Sequence, residues 1–558
     1  MRRSIQWILA GWMVAISLFG CAAPARPVLN LGPIPQPAEI DIIPRPVALA
    51  ATPGYFHLNA STVIRGDLQV ADLAAYLADN LDRPTGWNLP LDLSRQPSSG
   101  GGFIDLRLIE DRRPQTDGEY WLAVSPAGIT IWAHNKAGLF YGIQTLRQLL
   151  PPQVYNATPV KNIAWTVPCV QIHDYPRFQW RGMMLDCSRH FFSKVEVERF
   201  IDLMAIHKMN MLHWHLTDDQ GWRIQILRYP KLTQIGAWRK QTLIGHEDSK
   251  PVRYDGIPYG GFYTQEDIRE IVQYAAERFV TIVPEIEMPG HSTAAVAAYP
   301  QIGNTTRPVE VAQGWGVFRD TLGPQPATIA FYENVLDEVM DLFPSPYIDL
   351  GGDEVPSTQW KTSPAARAQI KRLGLAGPNQ VQAYILRRMA AYLKAKGRRL
   401  TGWDDIVKQG APRDSVAIVW HRPSAALAAI EAGCDVVIAP ESTLYFDHYQ
   451  SKDQRKEPLA IGGFTPLRKV YAFNPMPSGL MPAQQRQVLG AQGQLWSEYI
   501  PTPEHLEYMA FPRECALAED VWSPAEGKDY TDFRRRLAMD FKRLDVMGVN
   551  YRHPLEGE

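Results

Sequence analysis

The sequence predicts an α/β protein, a (β/α)8 TIM barrel preceded by a small α+β domain, and three observations carry that expectation. From about residue 175 onward, eight short apolar runs alternate with helical stretches. The runs are apolar throughout rather than at every second residue, and the residues that close them are rich in carboxylates and aromatic rings. A chain of 558 residues has room for one large barrel and an accessory unit. Hydrophobic residues at 45% and charged residues at 21% exclude coiled coil, collagen and extensive disorder. A net charge of −2 without a basic block leaves no electrostatic footprint for nucleic acid.

Taken in chain order, residues 1–21 have the pattern of an export signal: Arg2-Arg3, an apolar run over 7–19, then Gly20-Cys21. The run is short for a bilayer span. Leu18-Phe19-Gly20-Cys21 resembles a bacterial lipoprotein box, in which Cys21 becomes the lipid-modified mature N-terminus, although Phe19 stands where a small residue is usual. Plain secretion and an uncleaved anchor are the alternatives. Residues 22–37, rich in Ala and Pro, read as a tether. Residues 38–174 combine amphipathic helices over 68–81 and 136–150 with two strands in 119–133 joined at 126–128, which makes the α+β domain.

Residues 175–558 form the expected barrel, with strands over 181–186, 209–216, 280–287, 347–353, 398–404, 416–420, 435–440 and 490–498. Capping boxes at Ser193/Glu196 and Thr264/Asp267 open two of the helices between them. Phe331, Tyr332 and Leu336 read as helix core, and the Arg534-Arg535-Arg536 run as a solvated helix face. A helix over 529–547 closes the barrel, with no carbohydrate-binding module expected after it. Cys169, Cys187, Cys434 and Cys515 are too few and too far apart for a disulfide scaffold, and read as packed thiols with at most one or two bridges.

In such a barrel the chemistry collects at the C-terminal ends of the strands. Those ends carry Asp186 and Arg189; His213, His215 and Asp218; Glu285, Glu287 and His291; Asp353 and Glu354; Trp403, Asp404 and Asp405; Trp420; Tyr445 and Asp447; and Trp496 and Glu498. Carboxylates mixed with flat rings suit an uncharged polar ring as ligand, which describes a sugar. Gly351-Gly352-Asp353-Glu354 is the sharpest pattern. Burial and mutual repulsion raise the pKa of at least one of two adjacent acids, as a general acid near neutral pH requires. The plainer alternative is an exposed acidic turn capping the next helix. A retaining glycosidase ordinarily holds its nucleophile about 5–5.5 Å from the acid across the bond. Adjacent acids do not straddle a bond, so Glu285, Glu287 or Asp218 would serve, or the substrate would supply its own nucleophile. His213 and His215 with His291 also admit a zinc or nickel site, against packed histidines bonded to neighbouring carboxylates. No metal or cofactor is predicted.

At these residues the chain resembles the family 20 glycoside hydrolases, the β-N-acetylhexosaminidases, over nearly its whole mature length. Gly138-Leu-Phe-Tyr-Gly-Ile-Gln-Thr-Leu-Arg-Gln-Leu-Leu-Pro is similar to the end of their N-terminal domain. Arg181-Gly-Met-Met-Leu-Asp-Cys-Ser-Arg-His-Phe, Lys208-Met-Asn-Met-Leu-His-Trp-His-Leu-Thr-Asp-Asp-Gln-Gly-Trp, Pro284-Glu-Ile-Glu-Met-Pro-Gly-His, Gly351-Gly-Asp-Glu, Leu444-Tyr-Phe-Asp and Gln494-Leu-Trp-Ser-Glu resemble their barrel motifs in order and spacing. The resemblance implies an exo-acting, retaining enzyme that removes terminal GlcNAc or GalNAc from oligosaccharides by substrate-assisted catalysis through an oxazolinium ion. It further implies that Glu354 is the acid and base and that Asp353 orients the acetamido nitrogen. Tyr445 would bond the acetamido oxygen, and Trp403, Trp420 and Trp496 would wall the sugar. Arg189, Glu498 and Asp447 would bind its hydroxyls, while Asp218 and His291 form a relay to Glu354. The family usually has His at the position of Asp349 and Glu at that of Asp405, which puts the tuning of the acid in question more than the reaction class. The rival readings are a sugar-binding lipoprotein without catalysis and a metal-dependent barrel hydrolase.

Overall fold

A computed structural model describes residues 40–94, 102–110, 116–305, 307–422 and 424–553. The export signal and tether expected over 1–21 and 22–37 lie outside the described residues. No described helix is long and apolar enough to cross a membrane.

The first layer is a seven-stranded sheet of β1 (Ala48–His57), β2 (Val63–Arg65), β3 (Leu91–Asp92), β4 (Phe103–Leu108), β5 (Tyr120–Ser125), β6 (Gly128–Ala133) and β7 (Thr166–Asp174), in the order β1-β7-β5-β6-β4-β2-β3. Alternation in β5 and β6 buries Tyr120, Leu122, Val124, Ile129, Ile131 and Ala133. These pack with Leu73, Leu77 and Leu81 of α1 (Ala71–Thr85) and with Leu139, Ile143 and Leu146 of α2 (Lys136–Leu149). The helix expected from residue 68 begins as a 3-10 turn, because the Asp67 carboxylate accepts from the Gln69 N–H and holds the chain short of α geometry until Ala71.

The second layer is a closed barrel of eight parallel strands: β8 (Trp180–Asp186), β9 (Met211–His215), β10 (Thr281–Glu285), β11 (Tyr347–Asp349), β12 (Arg399–Trp403), β13 (Val416–Val419), β14 (Asp435–Ile438) and β15 (Val488–Leu495). Closure comes from β15 against β8, with Gly490 opposite Trp180 and Leu495 opposite Leu185. Successive residues point to opposite sides, and both sides are apolar. Leu212, Ile282, Ile348, Leu400 and Val436 meet the surrounding helices, while Trp180, Met211, Val283, Trp403, Ile418 and Val437 fill the interior. That two-sided burial is why the strands read as unbroken apolar runs.

Both capping boxes form, ahead of α3 (Lys194–Ile206) and α4 (Gln265–Ala276). Phe331, Tyr332 and Leu336 are core residues of α5 (Pro326–Leu342). The arginine run departs from expectation. It lies on α7 (Tyr530–Val546), which packs beside α6 (Arg513–Trp522), so part of the run faces inward. Arg536 is only 3% exposed and forks onto Glu519 with Nη1 and Nη2 at 2.6 and 2.7 Å, and Arg535 pairs with Asp41. A guanidinium tolerates this because its planar fork meets a carboxylate bidentately. Cys169, Cys187, Cys434 and Cys515 are all buried free thiols, without the one or two bridges the sequence allowed.

The two layers are registered by a buried ion pair. Lys208 Nζ lies 2.9 Å from Asp174 Oδ2, with both side chains at 0% exposure. Tyr120 and Trp522 also donate to this carboxylate, at 2.7 and 2.9 Å. Arg181 adds a bond from Nη2 to the Tyr141 hydroxyl at 2.8 Å.

Candidate active site

Strand β11 is shorter than the predicted 347–353 because the chain leaves strand geometry at the glycine pair. Gly351 and Gly352 have φ of +61° and +87°. No side chain fits there: a Cβ on Gly351 would lie 1.9 Å from Glu287 Oε2, and one on Gly352 would lie 2.8 Å from Ile406 Cγ2. Three bonds fasten the turn. The Gly351 N–H donates to Asp349 Oδ1 at 2.7 Å, the Trp403 N–H to the Gly351 carbonyl at 3.0 Å, and Gln382 Nε2 to the Gly352 carbonyl at 2.6 Å. The turn presents Asp353 and Glu354 together at the strand ends. Glu354 itself has φ of +48°, a costly conformation for a residue with a Cβ. The pair is no helix cap, since the next helix, Thr358–Thr362, starts beyond it at Ser357.

His291 links the acids to a deeper charge network. Its Nε2 lies 3.6 Å from Asp353 Oδ2 and 3.7 Å from Glu354 Oε2. Its Nδ1 lies 3.2 Å from Asp218 Oδ1 and 3.1 Å from Asp219 Oδ2. Asp218 Oδ2 is in turn 2.8 Å from Arg189 Nη2 and 3.0 Å from His215 Nε2. Burial pushes the Asp353 carboxyl up to about 7, with the Glu285 and Glu354 charges adding and His291 opposing. Burial works against a charged His291, but Asp218, Asp219 and Asp353 outweigh it and raise its pKa well above the imidazole range. Burial also works against the Asp218 carboxylate, yet Arg189 and His291 hold it well below its usual range.

Beneath the pair, Glu285 accepts from Trp403 Nε1 at 2.9 Å and from His215 Nδ1, and His213 Nε2 lies 3.0 Å from its Oε2 without the geometry of a hydrogen bond. His213 and His215 thus both face the Glu285 carboxylate, His215 bonded to it, whereas His291 is turned to Asp218 and Asp219. Asp349 Oδ2 stands 3.7 Å from His213 Nε2, and burial, then the Glu285 charge, pushes Asp349 up to about 6. Its other oxygen anchors the glycine turn, so the unexpected acid at 349 buttresses the pair from below. Glu287 is buried with both oxygens unpartnered; burial, then Asp353, raises it well above the carboxylate range.

The strand ends enclose a cavity of about 300 Å³, lined by Arg189, His291, Asp353, Glu354, Trp403, Trp420, Tyr445, Asp447, Trp496 and Glu498. Of the residues to which the resemblance gives a role, Asp218 alone is missing from the lining: it sits behind Arg189 and His291 rather than at the wall, which suits a relay and not a contact with substrate. The remaining lining comes from Glu441, His448 and residues 461–463, which sequence reasoning missed because they lie on long connections with no strand-end pattern. Asp219, also missed, was marked only by its adjacency to Asp218. Trp403 and Trp496 stand 5.4 Å apart at 41°, and Trp420 and Tyr445 6.4 Å apart at 20°. Asp405 still reaches Trp420, whose Nε1 donates to it at 3.0 Å. Both Asp447 oxygens and Glu498 Oε2 are buried without partners, acceptors that a polyhydroxylated ligand would satisfy. A larger cleft of about 1190 Å³ runs between α1 and the barrel, but charges lining it are already paired, as Lys136–Asp72 and Arg278–Asp202.

Comparison with known proteins follows the same division of the chain. Residues 178–525 match the model of the glycosyl hydrolase family 20 catalytic domain, and residues 39–175 that of domain 2 of the same family. A beta-hexosaminidase of Porphyromonas gingivalis is 40% identical over 97% of this chain and 67% of its own. The solved GH20 beta-N-acetylhexosaminidase of Streptomyces coelicolor A3(2) superimposes with a TM-score of 0.80 at 33% identity, covering 94% of this chain and 99% of that one. A mutant Streptomyces plicatus beta-hexosaminidase, solved in complex with the product GlcNAc, gives 0.79 at 32% identity over 94% and 98%.

Proposed function

The chain belongs to glycosyl hydrolase family 20 and is a β-N-acetylhexosaminidase, and from that premise we propose the course of its reaction: exo-acting, retaining removal of a terminal N-acetylhexosamine through an oxazolinium intermediate. The observation that carries this reading is the position of Asp353 and Glu354, side by side on the cavity wall and nearly equidistant from His291. A two-carboxylate scheme needs a nucleophile across the bond from the acid. Glu285, Glu287 and Asp218 do not line the cavity, being buried beneath or behind its wall. With Asp447 and Glu498 on the wall assigned to the hydroxyls, and as the family resemblance implies, the nucleophile in this proposal is the substrate's own acetamido oxygen.

It attacks the anomeric carbon as the glycosidic C–O bond breaks, and Glu354 gives its proton to the leaving oxygen. Asp353 accepts from the acetamido N–H and balances the positive charge that develops on the ring. Water then adds to the anomeric carbon and yields a proton to Glu354, the acetamido group re-forms, and the anomeric configuration is retained. In the free site burial holds Asp353 neutral up to about pH 7. A substrate N–H donating to Asp353 favours its anion, and the proton passes to Glu354, where the first step uses it. Arg189, Asp447 and Glu498 bind the hydroxyls, and Trp403, Trp420, Tyr445 and Trp496 enclose the ring and acetyl group.

The test is hydrolysis of an aryl N-acetyl-β-glucosaminide beside the matching plain glucoside. Turnover is expected only with the acetamido sugar, and Glu354→Gln and Asp353→Asn should each lower kcat by about 10²–10⁴-fold with the fold intact. Equal turnover of the two sugars would overturn the substrate-assisted course, and binding without hydrolysis by the wild type would favour the sugar-binding reading.

A further inference from the structure

Among the helices outside the barrel, His207, Cys515 and Asp540 converge from three elements. His207 directly follows α3 where it leads into the base of β9, Cys515 lies in the first turn of α6, and Asp540 lies on α7. All three are buried. His207 Nε2 is 3.1 Å from Asp540 Oδ2 and 3.6 Å from Cys515 Sγ, and Sγ is 3.4 Å from the same Oδ2.

The tautomer decides what this triangle holds. His207 Nδ1 lies 3.0 Å from the Leu203 carbonyl, which can only accept, so Nδ1 carries a hydrogen and a neutral ring presents Nε2 as a lone pair. The Cys515 thiol can donate to Asp540 Oδ2, but a neutral Nε2 lone pair does not face that carboxylate oxygen at 3.1 Å without positive charge between them. That charge is either a proton on Nε2 or a metal ion. The three edges enclose a point roughly 2 Å from every corner, the length of zinc–nitrogen and zinc–oxygen bonds and slightly short of zinc–sulfur.

Two surrounding features are those of a metal's supporting shell. The Nδ1–H bond to a carbonyl fixes the ring for ligation through Nε2, and Asp540 Oδ1 accepts from Arg543 Nη1 at 3.0 Å, so that Oδ2 is the oxygen turned to His207 Nε2 and Cys515 Sγ. Independently, Glu514, next to Cys515 on α6, is fully buried with both oxygens unpartnered, 3.9 Å from the other nitrogen of the same ring. Zn²⁺ and Arg543 would balance the Cys515 thiolate, Asp540 and Glu514. We propose that His207, Cys515 and Asp540 bind one structural zinc ion between α3, α6 and α7, with Glu514 as the compensating carboxylate. Binding displaces the Cys515 thiol proton. The mixed N, S and O donor set favours zinc over magnesium or calcium.

The full chain, produced in zinc-supplemented medium and passed over a chelating resin, is to be analysed for metal by mass spectrometry beside Cys515→Ala and His207→Gln. About one zinc per wild-type chain is expected, and below about 0.1 in either variant. Chain produced with cobalt(II) instead should show a thiolate-to-cobalt charge-transfer band in the near ultraviolet that Cys515→Ala lacks. Folded wild type that carries no zinc and shows no cobalt band overturns the proposal in favour of an imidazolium–carboxylate pair. Zinc retained by both folded variants overturns it too, by placing the metal elsewhere. Should a variant fail to fold, the wild-type stoichiometry and cobalt band still decide.

Discussion

His291 shows how one residue couples two tasks. One ring nitrogen faces the paired acids and the other faces Asp218 and Asp219, so any change in proton occupancy on the cavity wall is felt by buried carboxylates beyond it. The pH dependence follows from the sign of the Asp353 shift. Its carboxyl is raised to about 7, so the free site keeps that proton below this pH and loses it above. The reaction needs one proton on the pair. We therefore expect kcat/KM for an N-acetyl-β-glucosaminide to fall as pH rises through about 7, approaching tenfold per pH unit. In Asp353→Asn this alkaline limb should move, because the group that held the proton is gone. A limb unchanged in that variant would assign it elsewhere. The adjacency of the acids and the presence of His291 were readable in the sequence; the link of Asp219 to the ring was not, because nothing local distinguishes a carboxylate that faces a histidine 72 positions away.

At the scale of elements, the glycine turn after β11 does most to place the acids. Sequence reasoning ran the strand on to residue 353, since Gly351 and Gly352 carry no polarity to mark a break; their positive φ values and the carboxylate packed on Gly351 mark it in three dimensions. Gly351→Ala should be severe for two reasons, the left-handed backbone and the collision with Glu287. We expect kcat to fall by about 10²-fold or more, as misplacement of catalytic groups near 1 Å does. Stability in urea should drop by about 1–3 kcal/mol. Wild-type turnover in Gly351→Ala would mean that the turn tolerates rebuilding and does not set the geometry of the pair. Other elements were legible because a local rule sufficed: the capping boxes at Ser193 and Thr264, and the apolar runs of all eight barrel strands. The inward-facing Arg536 was not, because a helix face is polar in sequence whether it meets water or a buried Glu519.

For the whole molecule, the pairing of the sheet layer with the barrel rests on Lys208 and Asp174, fully buried and saturated with bonds from Tyr120 and Trp522. Burial lowers the Lys208 pKa, with Asp174 opposing. Removing one charge strands the other in a dry interface. Lys208→Met is expected to destabilise the chain by about 3–5 kcal/mol, read from the urea midpoint, and Lys208→Met/Asp174→Asn by less than the sum of the single changes. Additive losses would show that the two residues stabilise the fold separately. Because Lys208 precedes β9, at the opposite end of the parallel strands from Asp353 and Glu354, the loss should appear in stability rather than in KM.

The sequence by itself determined the barrel, its order of strands, the aromatic and acidic character of its rim and the two acids at 353 and 354. These are consequences of local rules: two-sided burial of parallel strands, capping chemistry, and motifs whose residues are neighbours in the chain. Tertiary structure alone decided which carboxylates face the cavity and which lie beneath it. Asp218 went behind the wall, Glu287 under the glycine turn, Asp349 into a buttressing role, and Cys515 beside His207 and Asp540 rather than into a disulfide. The reason is physical: a carboxylate's role is set by burial and by partners from distant strands and helices, and a chain's local pattern carries neither.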